Sequence, residues 1–176
     1  MKLGLRRGTV AVEPHNSEWE VTAQQTISKL REILGNTAVD IQHIGSTSIK
    51  DICAKPIIDI VVGVRDFNDI LGLNGVLEDN GFIFRGQDVP DQYLYVCGDE
   101  NTGTHHIHTV IYHSEAWNNY INMRDYLNCH NEEAQAYSKL KEKLARQYPD
   151  DRNRYTELKS GLIAEILAKV QKWRAK

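Results

Sequence analysis

The segment that most constrains this chain is Ile57-Ile58-Asp59-Ile60-Val61-Val62, opened by Pro56. A run this apolar reads as a central strand covered on both faces. Asp59 stands in its middle, and a buried carboxylate is costly unless a metal, a cation or several donors compensate it. Two readings follow. Asp59 is a ligand for a hard cation such as Mg²⁺, which takes carboxylate and phosphate oxygens together, or it sits at a solvent-facing strand end and caps a neighbouring turn.

The flanking sequence supplies cover for such a strand. Thr9 to Val12 is a short β-prone run, punctuated by Pro14, Asn16 and Ser17. With Ser17 as N-cap, Trp19, Ala23, Ile27, Leu30 and Leu34 then recur at spacings of three and four, predicting a helix that stops at Gly35. Ala38 to Ile44 predicts a strand with Val39, Ile41 and His43 on one face. Asp66 to Asn80 predicts one helix stopped by Gly81. Strands follow around Phe82 to Phe84 and Tyr93 to Val96, and the Gly98 to Gly103 turn leads into a strand from Thr104 to Tyr112.

After Tyr112 the strand signals cease. Ser114, Asn131 and Asp150 are placed to cap three successive helices. The last carries Tyr155, Leu158, Leu162, Ile166, Val170 and Trp173 as an apolar stripe. Strands first and helices last predict an α+β fold rather than a repeating βαβ wind. At 176 residues one domain is expected, a sheet core over residues 1–112 and a helical part over 113–176.

Twenty-four acidic residues against 21 basic ones leave a formal net charge of −3, so no general field draws the chain to extended nucleic acid or an anionic membrane. Any nucleotide contact must be local. Cys53, Cys97 and Cys129 are widely spaced and form no CxxC, which fits packing residues in a reducing cytoplasm. Met1 to Thr9 lacks the apolar stretch of a signal peptide, and nothing approaches the ~20 apolar residues of a membrane span.

Two further clusters could carry chemistry. In His43-Ile44-Gly45-Ser46-Thr47-Ser48, a strand end meets a glycine and three hydroxyls. Gly45 can take a conformation that brings main-chain N–H groups close to an anion; the alternative is a polar turn between strands. In Thr104-His105-His106-Ile107-His108, alternation puts His106 and His108 on one face and His105 on the other. The pair could share a metal or a phosphate, or be hydrogen-bonded polar residues on a solvated sheet face. Among the basic residues, Lys55 is best placed to reach the Gly45 turn, with Arg124 and Lys159 on helices that could cover it. Lys141 and Arg152 read as solvated surface, and Trp19, Trp117 and Trp173 as core.

The strings His43-Ile44-Gly45-Ser46-Thr47-Ser48 and Ala54-Lys55-Pro56-Ile57-Ile58-Asp59-Ile60 closely resemble the signature of the GrpB family. So do Val12 to Trp19, His105-His106-Ile107-His108, Arg124-Asp125-Tyr126-Leu127, and Tyr148-Pro149-Asp150-Asp151-Arg152 through Tyr155 and Lys159. The resemblance implies a nucleotidyltransferase-like fold, a mixed sheet flanked by helices, in which a Gly-Ser turn contacts nucleotide phosphates and acidic residues on the next strand bind Mg²⁺. GrpB domains occur alone and attached to some dephospho-coenzyme A kinases.

One departure matters. The second carboxylate expected two residues after the first is Val61 here, and Gln42 stands where an acidic residue often precedes the His. Replacements would have to come from His106 and His108, or from Glu13 and Asp40. The expected site is therefore Asp59, His106 and His108 as catalytic and metal-binding residues, taking Mg²⁺ or alternatively Mn²⁺ or Zn²⁺. His43, Gly45, Ser46, Thr47, Ser48, Lys55, Arg124 and Lys159 are the expected ligands of a nucleotide or other small phosphate compound. Three functions remain open: metal-dependent nucleotidyl transfer to a small molecule, a non-catalytic nucleotide- or coenzyme-binding module, and a His/Asp metal-dependent hydrolase.

Overall fold

In the computed structural model, which describes residues 2–175, the central run becomes strand β3, Ile58–Val64. It pairs antiparallel with β2, Ala38–Ile44, and parallel with β6, Thr102–Ile111. β5, Gln92–Gly98, and β4, Ile83–Val89, continue the sheet antiparallel beyond β6, giving the order β2-β3-β6-β5-β4. The short β1, Leu5–Arg6, pairs with the start of β6. Met1, at the head of the basic N-terminal stretch, lies outside the described residues.

Helix α1, Glu18–Leu34, lays Trp19, Ala23, Ile27, Leu30 and Leu34 on one sheet face, the stripe expected from their spacing. Ile58, Ile60, Val62 and Val64 of β3 point into that layer. The opposite face of β3 presents Asp59, Val61 and Gly63. Val61 packs with Ile44, Val110 and Trp117 under α4, Glu115–Cys129. At Gly63 a Cβ would lie 2.9 Å from both the Trp117 and Tyr112 rings, so the missing side chain lets α4 close onto the strand. Helices α5, Asn131–Gln147, and α6, Arg152–Arg174, complete the group. Ile49 and Ile52, just after the glycine turn, are buried among Tyr126, Leu127, Tyr137, Ile166 and Val170 and tie that turn to the helices.

Several local expectations change. Thr9 to Val12 forms no ladder; the N-terminal pairing lies at Leu5–Arg6 and at a single Glu13–Ala54 bridge, while Val10 N donates to Pro149 O. The predicted helix over 66–80 is two short ones, α2 (Phe67–Leu71) and α3 (Asn74–Asp79), parted at Gly72 and Leu73. β4 runs five residues past Phe84, to Val89. Ser17 makes no side-chain cap; Asn16 Oδ1 accepts from Glu18 N instead. Asp151, not Asp150, caps α6, and Asn131 is the first residue of α5 with His130 in the cap position. Leu158 of the expected α6 stripe is exposed, and Trp173 only partly buried. No helix among the described residues is long and apolar enough to cross a membrane.

Candidate functional site

Parallel pairing of β3 and β6 sets Asp59 beside His106 and Val61 beside His108. All four share a sheet face, so the two imidazoles flank the carboxylate. His108 Nε2 lies 3.0 Å from Asp59 Oδ1 and His106 Nδ1 lies 3.6 Å from the same oxygen. Among the described residues these three form the one group of His, Cys, Asp and Glu side chains able to hold a metal, with ligand atoms all within 4.8 Å of one another. Burial pushes the Asp59 carboxyl up, but the hydrogen bonds and charges of His106 and His108 outweigh it and hold it well below the usual carboxylate range. His105 points to the other face, where its Nε2 meets Thr26 Oγ1 of α1 at 3.1 Å.

The glycine turn follows directly from Asp59. Ile44 pairs with Asp59, and Gly45 then takes φ +72°. A Cβ at Gly45 would lie 2.7 Å from Asp59 Oδ2, so the close approach of turn to carboxylate requires glycine. The hydroxyls beyond it divide their tasks. Ser48 Oγ donates to Gly45 O at 2.5 Å and closes the turn. Thr47 is buried, its hydroxyl 2.8 Å from His43 Nε2, while His43 Nδ1 meets Glu20 Oε2 at 2.8 Å. Burial lowers the His43 pKa despite the Glu20 carboxylate, and the ring braces the turn between Glu20 and Thr47. Of the turn residues expected to meet a ligand, Ser46 lines two neighbouring cavities beside Asp59 and Gly45 lines the smaller of them; the side chains of His43, Thr47 and Ser48 support the turn.

The cleft, of about 320 Å³, has Asp59, His106 and His108 on its floor and Lys55, Lys141, Arg152 and Lys159 on its walls. Lys141 is not surface; it is 1% exposed and its Nζ donates to Cys53 O. Burial lowers its pKa to about 7, with the charges of Lys159 and Lys55 acting in the same sense. Burial, then Lys159, lowers Lys55 to about 8 against the pull of Asp59. Arg152 is half-buried and donates to Thr9 O and Arg6 O. The Tyr155 ring lies beneath the Lys55 and Lys159 ammonium groups at 5.5 and 5.0 Å. The Tyr155 hydroxyl is buried without a partner among the described residues, and burial keeps it protonated as a donor.

Arg124 lies beside this cleft rather than in it. Its guanidinium donates to Gln42 Oε1, His43 O and Asp125 Oδ1, which fixes α4 to the end of β2. Gln42 thus serves as an acceptor for Arg124. Neither carboxylate considered as a substitute joins Asp59. Asp40 sits at the far end of β2 with Gln42 and Arg31, and Glu13 is in the Ala54 bridge.

Sequence reasoning missed Lys141, Arg152, Tyr155 and Tyr120. A signal existed for the α6 pair: Arg152, Tyr155 and Lys159 recur at spacings of three and four, so two basic residues flank the tyrosine that opens the apolar stripe. Lys141 stands within the buried stripe Ala134, Tyr137, Ser138, Leu144 of α5, where a lysine needs a reason. Tyr120 is four residues before Arg124 on α4, and its oxygen lies 3.5 Å from His108 Nδ1.

A mixed sheet with helices on both faces, and a Gly-Ser turn set against the carboxylate of the next strand, defines an α+β protein. Within that class the chain belongs to the GrpB family, whose model, described as GrpB protein, matches residues 9–169. It is 38% identical over 170 residues to the glutamate-rich protein GrpB of Alkalihalophilus pseudofirmus, covering 94% of this chain and 98% of that one. The crystal structure of the conserved protein GrpB from Enterococcus faecalis matches with a TM-score of 0.88 at 26% identity, over 94% of this chain and all of that one. Cid1 in complex with its short product ApU matches far more loosely, with a TM-score of 0.49 at 12% identity over 75% of this chain and 40% of that one, and no residue's role is carried over from it.

Proposed function

We propose that the cleft binds a nucleotide or related phosphate compound together with one divalent cation, and that the chain transfers a nucleotidyl group from it to a small molecule. The observation that carries this reading is the convergence of Asp59, His106 and His108 on the floor of a cleft walled by Lys55, Lys141, Arg152 and Lys159. One carboxylate against four cations and a buried phenol donor suits a polyanion.

Two imidazoles and one carboxylate fit Mn²⁺ or Zn²⁺ better than Mg²⁺, which prefers an all-oxygen shell. A cation there would supply charge neutralisation at the phosphate oxygens. Tyr120 Oη faces His108 Nδ1 and supports the tautomer in which Nε2 is turned to a cation. Lys55, Lys159 and Tyr155 would orient the distal phosphates, and the Gly45–Ser46 turn would hold the phosphate nearest Asp59. Positioning and charge neutralisation do most of the work in such phosphoryl chemistry.

Val61 supports a second reading. It is wholly buried under Trp117 where a second carboxylate would complete a two-metal site, which suits a module that binds the phosphate compound and no longer turns it over. The three-ligand set also suits a hydrolase using one metal-bound water. A single measurement separates them: incubation with α-labelled ATP, Mn²⁺ and a pool of small hydroxyl and amine acceptors, with products resolved chromatographically. Labelled acceptor with pyrophosphate supports transfer, AMP with pyrophosphate supports hydrolysis, and ATP recovered bound and intact supports the module.

A further inference from the structure

A second cavity of about 210 Å³ opens from the cationic cleft. The two share Ser46, Asp59 and Lys159, which places Asp59 at their junction. The second lobe differs in chemistry. Its wall is formed by Ile49, Met123 and Ile163 and by Tyr120 and Tyr137. Of the polar groups that border it, Tyr120 Oη donates to Gln92 Oε1 at 2.5 Å and the Arg124 guanidinium is held by Gln42, His43 O and Asp125, while Ser46, Asp59 and Lys159 lie on the side shared with the cationic cleft.

We propose that this lobe is a subsite for the flat ring of the phosphate ligand, and that it reads the ring by shape and stacking rather than by hydrogen bonds. Aromatic and thioether walls favour a planar π-system, and stacking of this kind tolerates any nucleobase because every base has a π-face. Offering the Tyr120 or Arg124 donors to a base edge would break the contacts that hold α4 to β5 and to β2. The occupant is therefore a ring carried next to a phosphate, as in a nucleoside triphosphate, with its ring-proximal phosphate at Asp59 and its distal phosphates among the lysines. This inference rests on the phosphate-binding reading of the cleft.

The test is calorimetric titration of the full chain, in Mn²⁺, with ATP, GTP, CTP, UTP and inorganic tripolyphosphate, repeated on Met123→Ala and Ile163→Gln. Both sites are only partly buried, and thermal melts verify that each variant folds. The expected result is four triphosphates within about threefold of one another, all bound at least ~10-fold more tightly than tripolyphosphate. Either variant is expected to lose that gap while keeping its tripolyphosphate affinity. Tripolyphosphate binding as tightly as ATP overturns the ring subsite and leaves the phosphate cleft standing. A preference of more than ~10-fold among the bases overturns readout by shape. No binding of any of the five probes removes both readings.

Discussion

Gly45 is where the turn and the carboxylate depend on each other most directly. Gly45→Ala would drive a Cβ to 2.7 Å from Asp59 Oδ2 at φ +72°, so something must move. The expected loss is about 1–3 kcal/mol of stability, read by urea denaturation, together with lost Mn²⁺-dependent ATP binding; a variant with wild-type stability and binding contradicts the account of the turn. Lys141 and Lys55 make a second residue-scale prediction. Their folded values, about 7 and about 8, lie below the ~10.4 of an unfolded lysine. Between those limits the folded state holds fewer protons than the unfolded one, so the lysines' contribution makes unliganded stability rise with pH from about 7. Below pH 7 their full cost is present. A polyanion needs both amines charged, so tripolyphosphate affinity should fall over the same interval in which stability rises. Calorimetry and denaturation at pH 6.5 to 9 check this, and an affinity flat across that range would rule these amines out as the anion's partners. The residues themselves were only partly legible. Asp59, His106 and His108 stood out because polar groups on a core strand and an alternating His pair are anomalies of pattern. Lys141 did not, because a lysine on an amphipathic helix reads as solvated until its neighbours are known.

Elements were read better than their ends. α1 and β2 have the bounds their periodicity predicts, because the apolar stripe that signals each is also what buries it. Their termini depend on which of two adjacent polar residues turns inward. Asn16 rather than Ser17 accepts from the first turn of α1, and Asp151 rather than its neighbour Asp150 accepts from Arg154 N at 3.0 Å. Asp151→Ala should therefore cost ~1 kcal/mol, and Asp150→Ala less than ~0.5, by urea denaturation; the reverse order would move the cap back to Asp150. The capping residue matters to the site, since the first two turns of α6 carry Arg152, Tyr155 and Lys159. β1 escaped detection because a two-residue strand leaves no period to read.

Across the whole molecule, the cleft is assembled from segments far apart in sequence: the Gly45 turn, β3, β6, α5 and α6. No periodicity encodes such a meeting. It follows from the parallel pairing of β3 with β6, which sets Asp59 against the His pair, and from Ile49 and Ile52, which anchor the turn among the C-terminal helices. Glu13 and Asp40 failed to join because the same topology carries them elsewhere. The phosphate-binding reading of the cleft requires that Asp59 hold a cation, which in turn holds a phosphate compound. Its most direct test is thermal stabilisation by ATP with and without Mn²⁺ and Zn²⁺, in wild type and in Asp59→Asn. A ligand that binds the folded state alone adds ~2.7 kcal/mol at a hundredfold excess over its Kd. The prediction is a metal-dependent rise in Tm in wild type that vanishes in Asp59→Asn; an equal rise in both proteins, or none in wild type, would contradict it.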